Sequence, residues 1–154
     1  MTPRFRYDAS SPNPYDAMDA LETYLAHCAV DVSLIHLVKL RVSQMNGCAY
    51  CLDMHWKDLR ALGETELRLY GLGAWRESPY YSPRERAALA WAEAVTEVAA
   101  SRVPDAVHAE VREHFDERAI ADLTLVVATI NAWNRLSIAA RDVPGGYTSR
   151  LTPP

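Results

Sequence analysis

The sequence has no run of lysine or arginine, and its formal net charge is −4 at pH 7. A nucleic-acid groove is therefore not expected. Long apolar runs are also missing, so no segment is expected to span a membrane. The opening stretch MTPRFRYDASSPNPYDAMDA lacks the apolar core of a signal peptide. Cysteine is scarce and odd in number, at 3 residues. With no export signal, that points to a reducing, cytoplasmic setting and away from a disulfide framework. Internal repeats, low-complexity tracts and alternating strand patterns are absent as well.

What remains is an ordinary globular composition, 49% hydrophobic and 23% charged over 154 residues. One domain is expected over residues 1–154, with its core at about 14–140 and extended tails at 1–13 and 142–154. A chain of this length buries roughly 68–70% of its unfolded surface, so the core needs no metal or disulfide.

Helical periodicity runs nearly throughout. A first helix is predicted from Pro14 to about His27, with Ala17, Met18, Leu21, Tyr24 and Leu25 inward. A second follows Asp31 or Ser33, with Leu34, Leu37, Val38, Val42 and Met45 inward, and is broken at Asn46-Gly47. A third runs from about Cys48 to Gly63 and a short fourth from Glu64 to about Leu72. Ser82-Pro83-Arg84-Glu85 reads as a capping box opening a fifth helix to about Ala100, with Leu89, Ala92, Val95 and Val98 inward. Pro104 opens a sixth, ending near Phe115. Asp116 caps the last and most apolar helix, which carries Ile120, Leu123, Val126, Val127, Ile130 and Trp133. The fold class is all-α, a compact bundle of about six or seven helices.

The chemistry concentrates in NGCAYCLDMH, Asn46 to His55. On a wheel at ~100° per residue, Cys48, Cys51 and His55 fall within about 60° of one another. Leu52, Leu59 and Leu62 share that face, while Asp53, Lys57 and Arg60 lie opposite, so the trio points inward. A helix N-terminus favours thiolate through its free N–H groups and partial positive charge. His55, one turn after Cys51, can take or return a proton. These are the parts of a dithiol redox centre: an activated nucleophile, a resolving thiol and a base. The same residues also admit a plainer reading, since buried cysteines often serve as small core hydrophobes.

LVKLRVSQMNGCAYCLDMHWKDLRALGETELRLYGLGAWRESPYYSPRERAALAWAEAV resembles the core of the alkylhydroperoxidase-D-like proteins of the carboxymuconolactone decarboxylase superfamily, and INAWNR resembles their last-helix motif. The resemblance spans about residues 14–140. It implies an all-α fold, homo-oligomers (trimers or hexamers), and a peroxidatic disulfide cycle needing no flavin, haem or metal. In that scheme Cys51 attacks the hydroperoxide, Cys48 resolves the sulfenic acid, His55 relays the proton, and an external thiol reductant regenerates the pair.

One position departs from the pattern. The family glutamate twelve residues before the first cysteine is His36 here. Neutral imidazole can accept a proton but lacks the carboxylate's fixed charge. The change predicts a weaker or more pH-dependent peroxidase, and a gain on His36→Glu. It also opens a rival, a Cys2His2 zinc set of His36, Cys48, Cys51 and His55. A redox-sensing structural oligomer is a further alternative, and a decarboxylase-like lyase ranks below these because it has no use for a CxxC pair.

Other residues carry less. Tyr50 and Trp56 fall off the reactive face and read as core or interface packing. Asn131 and Asn134 sit inside an apolar helix and are expected to pin helix contacts through hydrogen bonds. Glu22 could supply the missing carboxylate. Cys28 reads as a plain small residue, and His27, His108 and His114 as solvated.

Overall fold

The long helices begin where a side chain takes up their free N–H groups. Asn13 accepts from the Asp16 amide, Asp31 from Leu34, Ser82 from Glu85 and Asp116 from Ala119. The computed structural model describes residues 2–9 and 12–152. Its helices are α1 (Pro14–Leu25), α2 (Val32–Asn46), α3 (Ala49–Ala61), α4 (Glu66–Gly71), α5 (Pro83–Thr96), α6 (Val98–Ser101), α7 (Asp105–Arg112) and α8 (Glu117–Ala140). A 3-10 turn, Leu72–Ala74, follows α4. There is no strand among the described residues, so the all-α expectation holds. No helix among them is long and apolar enough to cross a membrane. Part of the loose stretch expected at the N-terminus (Ser10 and Ser11) and the last two prolines lie outside the described residues.

Helix α2 is the centre of the bundle, packed on α3, α5 and α8. Val38, Val42, Leu89, Leu123, Val126, Val127 and Ile130 are sealed where these helices meet. Each such aliphatic side chain contributes roughly 1.5–3 kcal/mol by leaving water.

Helix α4 and the fifth helix differ from the sequence reading, α7 ends at Arg112 rather than near Phe115, and Ala17, expected inward, is exposed. Helix α4 starts at Glu66 rather than Glu64 because the Thr65 side chain caps it. The fifth helix stops at Thr96 rather than Ala100. There the Ser101 hydroxyl turns back to donate to the Ala94 carbonyl at 2.6 Å, and the Thr96 hydroxyl accepts from Asn131 at 3.1 Å. Both bonds satisfy groups at the helix end, so the chain bends into α6. Val98, expected inward, is therefore 53% exposed. Tyr24, also expected inward, is 44% exposed, and its hydroxyl donates to Asp122.

A polar seam joins α2 to α8. Asn134 is fully buried; its amide donates to the Ser43 hydroxyl at 3.1 Å, and its carbonyl accepts from Asn46 at 2.8 Å. Asn46 also donates to Asn131 at 3.0 Å. Removing one partner of a buried pair leaves the other unsatisfied. Asn134→Ala is expected to cost about 1–3 kcal/mol, read as a lower urea midpoint at unchanged slope. A wild-type midpoint would mean the seam contributes nothing to stability.

Candidate active site

Gly47 ends α2 in the left-handed region, at φ 70°, which glycine adopts without a Cβ penalty. The turn lets the Cys48 amide bond back to the Ser43 carbonyl at 3.1 Å and starts α3 immediately. Cys48 is the N-cap, its sulfur accepting from the Cys51 amide at 3.3 Å. Cys48 and Cys51 are joined as a disulfide with their Cα atoms 5.4 Å apart. Both are buried, as is His55, so the face drawn from the wheel does point inward.

His36 comes from α2 and meets His55 directly. Their Nδ1 atoms are 3.1 Å apart and their ring centroids 5.3 Å. The third member of this group is Asp58, which the sequence reading missed. Its Oδ2 lies 3.4 Å from His36 Nδ1 and 3.9 Å from His55 Nδ1, and the residue is 2% exposed. A signal existed: Asp58 follows His55 by three, which puts a carboxylate on the reactive face of α3. Its second oxygen accepts from the Tyr147 hydroxyl at 2.7 Å.

Burial dominates the electrostatics. It pushes His36 down to about 4, helped by the Lys39 ammonium and opposed by the Asp58 carboxylate. It holds His55 well below the usual imidazole range, with the charges of His36 and Lys39 adding to the effect. Burial thus favours the uncharged form of both rings. His55 Nε2 is buried and has no hydrogen-bond partner among the described residues. Lys39 is itself buried and pairs with Glu22 at 2.5 Å. Glu22 also accepts from the Trp133 indole at 2.9 Å. The carboxylate that meets the imidazoles is thus that of Asp58, while Glu22 serves Lys39 and Trp133.

A cavity of about 960 Å³ opens over this group. Cys51, His36, His55 and Asp58 line it, with Tyr7, Tyr15, Tyr50, Trp133 and Tyr147. Cys48 is not among the lining residues. Tyr50 packs against the core and reaches this cavity. Trp56 instead borders a smaller cavity of about 390 Å³ that holds neither thiol nor imidazole.

The C-terminal segment has no helix and lies along α3, on the side expected to face solvent. Lys57 donates to the carbonyls of Gly145 and Tyr147 at 3.2 and 3.0 Å, and the Gly145 amide donates to Asp53 at 3.0 Å. Residues 146–150 thereby wall the cavity. His27 and His108 are exposed and His114 is half-buried, none of them at the site.

Comparison with known proteins agrees with this architecture. The model of the carboxymuconolactone decarboxylase family matches residues 12–94. The uncharacterized protein YdfG of Bacillus subtilis is 46% identical over 139 residues, covering 90% of this chain and 95% of its own. A crystal structure from Agrobacterium tumefaciens, of a protein of unknown function suggested to be the antioxidant defence protein AhpD, superposes with a TM-score of 0.90 at 38% identity. That match covers 95% of this chain and 100% of the other. A peroxidase-related protein from Silicibacter sp. TM1040 gives a TM-score of 0.77 at 26% identity, covering 85% of this chain and 70% of its own.

Proposed function

Because the chain belongs to the carboxymuconolactone decarboxylase family, as an alkylhydroperoxidase-D-like member, we propose that it reduces hydroperoxides with the Cys48–Cys51 dithiol. The observation that carries this reading is the asymmetry of the pair: Cys51 lines the cavity beside His55, whereas Cys48 does not.

In the reduced protein the Cys51 thiol passes its proton to neutral His55 and attacks the outer peroxide oxygen. The O–O bond breaks, the leaving alkoxide takes the proton back from His55, and Cys51 becomes a sulfenic acid. The Cys48 thiol then attacks the Cys51 sulfur and expels water, closing the disulfide. The balance is two thiols and one hydroperoxide giving one disulfide, one alcohol and one water. An external thiol reductant reopens the disulfide by exchange. His36 and Asp58 act behind His55: the Asp58 carboxylate offsets the positive charge that His55 carries while it holds the proton. A homo-oligomer, trimer or hexamer, in the cytoplasm belongs to the same reading.

A Cys2His2 zinc set gains no support from the geometry. The thiols are bonded to each other, and the atom converging on the imidazoles belongs to Asp58.

The test is a thiol count with intact mass on reduced, metal-free protein before and after one equivalent of hydroperoxide. Two thiols should disappear per peroxide, with the mass falling by two hydrogens. Thiols that survive the treatment would sink the proposal.

A further inference from the structure

We propose that His36 Nδ1, His55 Nδ1 and Asp58 Oδ2 form a binding site for one divalent transition-metal ion, built without the cysteines. The three atoms face one another, with separations of 3.1, 3.4 and 3.9 Å. Ligands at about 2.0–2.2 Å from a tetrahedral ion stand roughly 3.4 Å apart. The cluster already has close to that spacing, so an ion could enter with small side-chain shifts. A proton on one ring can bridge only the 3.1 Å pair well, whereas an ion at the centre satisfies all three atoms at once.

The surroundings fit the same reading. Metal-bound carboxylates are commonly held by a hydrogen bond at the oxygen that does not ligate. Here the Tyr147 hydroxyl holds Asp58 Oδ1 at 2.7 Å. All three residues line the cavity of about 960 Å³, which leaves a fourth position open to water or a small anion. Lys39 would repel a cation, but Glu22 neutralises it at 2.5 Å. Two imidazoles and one carboxylate suit zinc, iron(II) or cobalt(II) rather than magnesium or calcium, which take oxygen ligands.

Occupancy has a chemical consequence. An ion on Nδ1 of His55 leaves the ring's proton on Nε2, so that nitrogen could no longer take one from a thiol. A loaded site would therefore close the proton relay. This consequence rests on the hydroperoxide reading; the binding itself does not.

The experiment uses tag-free, metal-stripped protein in its disulfide form, so that thiols cannot compete and no peroxide is involved. Zinc is titrated by calorimetry and cobalt(II) by visible absorption. One ion per chain is expected, with the d–d bands of a nitrogen–oxygen site. His36→Gln and Asp58→Asn, on different helices, should each weaken zinc binding by more than tenfold. Tyr147→Phe should weaken it by about tenfold, and His108→Gln should leave it unchanged. Substoichiometric binding by the wild type, or wild-type affinity in either ligand variant, would overturn the assignment.

Discussion

Cys51→Ser protein is expected to lose no thiol to hydroperoxide, while Cys48→Ser protein should consume one equivalent and stop at a sulfenic acid on Cys51. Both variants belong in a Cys28→Ser background, because Cys28 is the free cysteine and is only half-buried. The two active-site sulfurs differ in surroundings rather than in depth. Cys51 reaches the cavity that His55 also lines, and sits one turn before it on the same face of α3. Cys48 caps the helix, away from the cavity lining, and its sulfur is engaged by the Cys51 amide. The cavity therefore offers peroxide a path to Cys51. The measurement is dimedone labelling with peptide mapping after a single addition of hydroperoxide. Sulfenic acid at Cys48 in the Cys51→Ser protein would reverse the roles and remove the argument from the cavity.

Asp58→Asn is expected to slow hydroperoxide-driven disulfide formation by about 10²-fold, the lower end of what a positioned acid–base system contributes. The amide keeps the shape and the Tyr147 contact but removes the charge beside the buried His55 and the half-buried His36. A buried imidazolium without a counter-charge is costly, so proton uptake by His55 becomes the hard step. Stopped-flow in chelator, following loss of thiol, reads the effect. A wild-type rate in Asp58→Asn would show that the carboxylate is a spectator.

The His36→Glu variant then has a different meaning from the one the sequence implies. Read alone, His36 stands where the family's glutamate would be, and restoring glutamate promises a gain. With Asp58 in place, a glutamate would put a second carboxylate into the same buried pocket. Two like charges there cannot both ionise cheaply. We therefore expect no gain from His36→Glu alone, and a recovery of at least tenfold when it is added to Asp58→Asn. Failure of the double variant to recover would mean that the carboxylate must come from α3.

These contrasts indicate what a sequence can reveal here. Local signals read correctly: the Ser82–Glu85 capping box, the caps at Asp31 and Asp116, and the inward face shared by Cys48, Cys51 and His55. Each depends on residues within one or two turns. What escaped the reading depends on distant partners. The bend after Thr96 needs Asn131 of α8 as well as the local Ser101 bond. The environment of Asp58 needs His36 from α2 and Tyr147 from the tail, 89 positions along the chain. Asp53 and Lys57 look like a solvated face until the tail arrives to use them.

Asp58 divides its two oxygens between the tail and the imidazoles, and that division has a thermodynamic corollary. Docking of residues 145–147 and the arrangement of protons or ligands on His36 and His55 draw on one carboxylate. Their free energies are linked, and linkage runs equally in both directions. Whatever charges or occupies the ring pair changes how firmly the tail is held, and whatever lifts the tail changes the affinity of the ring pair by the same factor. Amide exchange at Gly145 and Tyr147 would therefore report the state of a site in which their own backbones take no part.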